Sequence, residues 1–121
     1  MSCVKLLKEQ ILMIEKNPIS LATVNKKLEP HVILVAFAKV RDNKLIITDN
    51  YMVKTKKNIK ENMNVSLVLY NKKWNGLYLD GIARYYTKGK YYEFVKGIKE
   101  NKNEPCKGVI VIILKSIKRM F

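Results

Sequence analysis

Histidine occurs once in the 121 residues, cysteine twice and arginine three times. Each scarcity closes off a chemistry. One histidine and two isolated cysteines, Cys3 and Cys106, cannot assemble a usual zinc site, and no metal is expected. They form neither a CxxC pair nor a disulfide framework, so free thiols in a reducing cytoplasm are expected. A Ser-His-Asp triad would have to use His31, and no GxSxG turn is present. His31 follows Pro30 at a strand start, where a half-exposed strand-end histidine is the simpler reading. The five glycines form neither GxGxxG nor GxxxxGK[ST]. Nothing brings Asp49 and Asp80 together as a carboxylate pair. No apolar run approaches the ~20 residues of a membrane span, and Lys5, Lys8 and Glu9 break the pattern of a signal peptide. If the chain is an enzyme, its reactivity comes from a cofactor.

What is abundant is positive charge. Twenty-four Lys and Arg stand against ten Asp and Glu, a formal net charge of +14. Such a surface favours anionic partners. The excess is nearly all lysine, in a chain also rich in asparagine and isoleucine, so compositional bias explains it equally well. The length suits one domain, 1–121, and 48% hydrophobic residues supply one core.

Val4, Leu7, Ile11 and Ile14 recur at helical spacing, widened by Leu6 and Leu12, and predict a helix from about Cys3 to Lys16. "ISLATVN" reads as a strand. Pro30 opens "PHVILVAFAKV", one long strand expected to be buried on both faces. "RDNK" is a hairpin turn and "KLIITDN" a third strand. A short helix runs from Lys54 to about Asn62, then "VSLVLY" and "LYLDGIARYYT" follow as strands. Gly81 marks a bulge or a close backbone approach. "GKYYEFVKGIKEN" is a helix with Tyr91, Phe94, Val95 and Ile98 on one face, and "VIVIILKSI" is the last strand. The expected architecture is mainly β: six antiparallel strands forming a sheet or small barrel, with flanking helices.

Lys54 and Thr55 sit where a strand gives way to a helix. A helix start offers unpaired N–H groups and partial positive charge. A threonine hydroxyl can cap it or bind an anion, and a lysine adds an ammonium. Capping threonines near lysines are common, so the pair alone is a weak signal for phosphate. The progression "ISLATVN...PHVILVAFAKV...KLIITDNYMVKTKKNIKENMNVSLVLY", with the later "GIARYY", resembles the flavin-binding split-barrel family, the pyridoxamine 5′-phosphate oxidase-like proteins. The likeness runs from about Ile19 to the final strand and is nearest to the small FMN-binding members.

The resemblance implies non-covalent FMN at the interface of a homodimer. Lys54 and Thr55 would hold its phosphate. Leu34, Val35, Ala36 and Phe37 would line the isoalloxazine and ribityl chain from one strand. Thr48, Asp49 and Asn50 would contribute from the next, with Tyr51 and Met52 shaping the loop. Trp74 would cover the ring or lie on the dimer surface, and Met120 and Phe121 would approach the partner's flavin. Val35, Ala36 and Phe37 serve equally well as plain core. The implied role is electron transfer or a small flavin-dependent oxidoreductase, and the family also includes binders of haem and of a deazaflavin. The chain ends "LKSIKRMF" and lacks the basic-and-histidine motif of true pyridoxamine phosphate oxidases, so oxidation of vitamin B6 phosphate is not implied. Two rival readings are a nucleic-acid-binding barrel using Tyr78, Tyr85, Tyr86, Tyr91 and Tyr92, and a structural dimer without cofactor.

Overall fold

The computed structural model describes residues 4–120. Its order is α1 (Lys8–Lys16), β1 (Ile19–Val24), β2 (Pro30–Val35), β3 (Lys39–Arg41), β4 (Lys44–Asp49), α2 (Lys54–Glu61), β5 (Asn64–Tyr70), β6 (Gly76–Tyr86), α3 (Lys90–Lys96) and β7 (Gly108–Arg119). A short 3₁₀ turn covers Lys99–Asn101.

All seven strands form one antiparallel sheet, in the order β2-β1-β5-β6-β7-β4-β3. Six strands were expected; the seventh arises because the 30–41 run divides. Its first part pairs with β1 and its second with β4. These positions are the two edges of the sheet, so the chain must bend at Ala36–Ala38 to pass from one to the other. The bend also dictates the overall curvature. In a flat seven-stranded sheet the edges would stand about 29 Å apart, at about 4.8 Å per strand spacing. The extended chain from Val35 to Lys39 reaches at most about 14 Å. The sheet therefore curls into a barrel, split between β2 and β3.

Alternation along the strands fills that barrel. Ile19, Leu21, Leu45, Ile47, Leu67, Leu79, Ile110, Ile112 and Leu114 are all essentially inaccessible and belong to one apolar cluster. A second cluster, Ile46, Val95, Cys106, Val109 and Val111, seats α3 on the outer face of β4 and β7. Those two strands are thereby buried on both faces, which accounts for their unbroken apolar runs. β2 differs from the expectation. As an edge strand it is buried on one face only, and Val32 and Leu34 are exposed.

α1 begins at Lys8. The residues before it are drawn elsewhere: the Val4 N–H donates to the Leu114 carbonyl (3.1 Å), and the Asn43 side chain bridges Val4 and Leu6. The expected start at Cys3 lies outside the described residues. Leu7 and Leu12 are exposed, so the apolar stripe is narrower than its spacing implies. The helix expected over 89–101 ends at Lys96 and resumes as the 3₁₀ turn.

Gly81 carries both features expected of it. The register shifts there: Asp80 opposes Ser116 and Gly81 opposes Leu114, leaving Lys115 as the extra residue. A Cβ on Gly81 would lie 2.7 Å from both the Ile112 Cγ2 and the Ile113 carbonyl oxygen.

Candidate functional site

Where β2 bends away from the sheet, its end, the end of β4 and the start of α2 enclose a cleft of about 510 Å³. Leu34, Val35, Ala36 and Phe37 line it from β2 and the bend. Thr48, Asn50 and Met52 line it from β4 and the following loop, with Tyr51 beside them, and Lys54 and Thr55 from α2. Ten of the fourteen expected residues thus converge. Asp49 is buried behind the wall, Trp74 is on the β5–β6 turn and Met120 follows the end of β7, while Phe121 lies outside the described residues. His31, expected only as a half-exposed strand-end residue, also lines the cleft, as do Ile33 and Val53, for which no role was expected. Period-two spacing would have found the first two, since 31, 33 and 35 share one strand face.

The floor holds an unpaired polar atom. Thr48 is 8% exposed, and its Oγ1 is buried with no hydrogen-bond partner. Leaving a hydroxyl so is costly, which makes it a mark of a site that something else completes. Asn50 differs. Its side chain exchanges hydrogen bonds with the Asn101 amide (2.7 and 3.1 Å) and accepts the Cys106 N–H, tying the cleft loop to the 101–106 segment.

At the rim, α2 opens on Lys54. Val53 is the N-cap residue, no side chain caps the helix, and its first turn contains no acid. The expected cap, Thr55, lies inside the helix instead and is buried. The first N–H groups are thus uncapped beside an exposed ammonium, an arrangement suited to an anion. Lys57 and Lys60 are exposed, whereas Lys56 is half-buried.

Behind the wall, Asp49 is fully buried. Its Oδ1 accepts the Met52 N–H (2.7 Å), and its Oδ2 accepts the Tyr85 hydroxyl. Burial, and next the bond to Asp49, push the Tyr85 hydroxyl well above its ordinary pKa. Tyr91 hydrogen-bonds Asp42, and Tyr92 donates to the Cys106 carbonyl. Three of the five tyrosines of the nucleic-acid reading thus have their hydroxyls engaged within the chain. Trp74 stacks on Tyr70 at 5.0 Å and 6°. Among the described residues, no group of three His, Cys, Asp or Glu could hold a metal, and no helix is long and apolar enough to cross a membrane.

A mainly β antiparallel sheet split at β2–β3, with a cleft at the split, defines the class. The chain belongs to the pyridoxamine 5′-phosphate oxidase family, whose sequence profile matches residues 7–118. It is 33% identical over 121 residues to an uncharacterized protein of Methanocaldococcus jannaschii, covering 96% of this chain and 81% of that one. Among solved structures it resembles HupZ of Group A Streptococcus (TM-score 0.87, 23% identity, 95% of this chain and 94% of that one). An FMN-binding protein of Syntrophomonas wolfei shares the fold (TM-score 0.70, 17% identity, 85% and 76%). So does the heme storage protein HutZ of Vibrio cholerae (TM-score 0.71, 12% identity, 95% and 94%).

Proposed function

We propose that this chain binds FMN in the β2–β4–α2 cleft, as a homodimer, and acts as an electron carrier or small flavin-dependent oxidoreductase. The observation that carries the reading is the buried, unpaired Thr48 hydroxyl in an apolar cleft that ends at an uncapped helix start. The volume lies within the ~300–1,000 Å³ usual for small-molecule sites. Leu34, Val35, Ala36 and Phe37 offer apolar wall to a flat ring, and Thr48 a hydrogen bond to a polar chain. Lys54 and the N–H groups of the first α2 turn neutralise a terminal phosphate. When bound, the flavin supplies the redox chemistry. The protein orients the ring, excludes water from the wall side and holds the phosphate end fixed.

The outer sheet face supports a second copy as partner. Leu34, Ser20, Val68 and Tyr78 are successive cross-strand neighbours on it, and Leu34 also lines the cleft. A copy seated there covers the open side of the cleft and brings its own Trp74 and Phe121 as candidate ring contacts. The buried free thiol of Cys106 suits a reducing, cytoplasmic setting.

Titration of ligand-free protein with FMN at low salt tests the reading. Saturable binding is expected, and Lys54→Ala weakens it about tenfold or more, the worth of a charge-assisted hydrogen bond. Absence of FMN binding, or a purified protein carrying a porphyrin spectrum instead of a flavin one, overturns it.

A further inference from the structure

We infer that Tyr85 is a positioning residue for the phosphate end of the cleft: through Asp49 it fixes the 50–53 loop and the first turn of α2. The inference deepens the FMN reading above and rests on it. Tyr85 is distant in sequence from every cleft residue, and no part of it lines the cleft. Its hydroxyl nonetheless donates to the buried Asp49 carboxylate, whose other oxygen receives the Met52 N–H at 2.7 Å. Met52 lines the cleft two residues before Lys54. One carboxylate therefore fastens the cleft loop to β6.

The packing around this bridge is specific to it. Gly108 stands opposite Asp49 in the β4–β7 register. A Cβ on Gly108 would fall 2.3 Å from the Tyr85 Oη and 2.4 Å from its Cζ. Only a glycine lets the ring pass across the strand and reach the carboxylate. The Lys56 and Lys60 ammonium groups lie 5.0 and 5.5 Å from the centre of the same ring. Both lysines belong to α2, so the ring contacts the helix as well as the loop that precedes it. The burial that raises the Tyr85 pKa favours the protonated hydroxyl that donates to Asp49.

Removing that hydroxyl leaves the β2 wall of the cleft untouched. It loosens the segment that aims the N–H groups of α2. The phosphate end should lose grip while the ring end does not, and two ligands differing only in the phosphate, FMN and riboflavin, separate the effects. In Tyr85→Phe the dissociation constant for FMN is expected to rise about tenfold, that for riboflavin by less than about twofold. A merely structural role would weaken both alike. Tyr86→Phe, at an exposed neighbour, serves as the control and leaves both unchanged. If wild-type protein prefers FMN and Tyr85→Phe keeps the same FMN-to-riboflavin ratio, the inference is overturned. If wild-type protein shows no such preference, the phosphate assignment itself fails. Hydrogen exchange at the Met52 amide of ligand-free protein then decides this inference alone. Protection falling about tenfold or more in Tyr85→Phe supports it, and unchanged protection overturns it.

Discussion

Thr48 and Asp49 are neighbours at the end of β4, both buried, and they meet opposite fates. Thr48 faces the cleft, with its hydroxyl bonded to nothing. Asp49 faces the interior behind it, with both carboxylate oxygens and its own carbonyl engaged: the carbonyl accepts the Lys107 N–H at 2.7 Å. Strand alternation alone sets the two apart, since successive side chains take opposite faces. The difference teaches what each side is for. A polar group serving the fold is satisfied by the chain, whereas a polar group awaiting a ligand is not.

The contrast breaks most severely at Asp49. Asp49→Ala leaves the Tyr85 hydroxyl and the Met52 N–H without a partner in a closed space. At about 1–3 kcal/mol for each stranded group, a loss of about 3 kcal/mol is expected. Urea denaturation measures it directly. A loss below about 1 kcal/mol would mean that the bridge contributes little and that Asp49 resembles its neighbour after all.

Thr48→Val tests the other side, with the sign reversed. The substitution keeps the shape and removes the unpaired hydroxyl, so ligand-free protein should gain about 1 kcal/mol of stability. FMN affinity should fall about fivefold as a hydrogen bond is lost. A variant less stable than wild type, with unchanged FMN affinity, would assign the hydroxyl to the fold and erase the distinction.

The same contrast explains what could be read in the sequence. The cleft wall is nearly contiguous: residues 31 to 55 supply all of its lining, and the strand-to-helix step at Lys54 is a local pattern. The anchor behind it is not. It joins Asp49 to Tyr85 and Gly108, and Asn50 to Asn101 and Cys106, pairs that register alone brings together. Asp49 therefore read as one more wall residue, because period two does not say which face of β4 is the cleft. The 30–41 run read as one strand because nothing at Ala36–Ala38 breaks it chemically; the break follows from β1 and β4 claiming its two halves at opposite edges. Gly81 was legible because a glycine within a strand pattern has few other uses.

A third aspartate sharpens the comparison with the smallest effect. Asp80 accepts hydroxyl bonds as Asp49 does, from Ser66 (2.6 Å) and Ser116 (3.3 Å), yet it sits half-buried on the outer face. The Ser66 bond is the chief cause holding its carboxyl below the usual range, with lesser help from Tyr78, Ser116 and Lys115 and opposition from partial burial. A carboxyl whose folded pKa is depressed adds stability above its unfolded pKa and loses it as pH falls through the folded value. Ser66→Ala should therefore lower stability modestly at pH 7. The gap from wild type should narrow once the pH falls below about 3.9, the ordinary aspartate value, as the carboxyl becomes protonated in both proteins. Denaturant titrations at pH 7 and pH 3 give the two gaps. Equal gaps would show that Ser66 acts through packing rather than through the charge on Asp80. The hydroxyl-to-carboxylate bond would then matter only where, as at Asp49, the chain has closed water out.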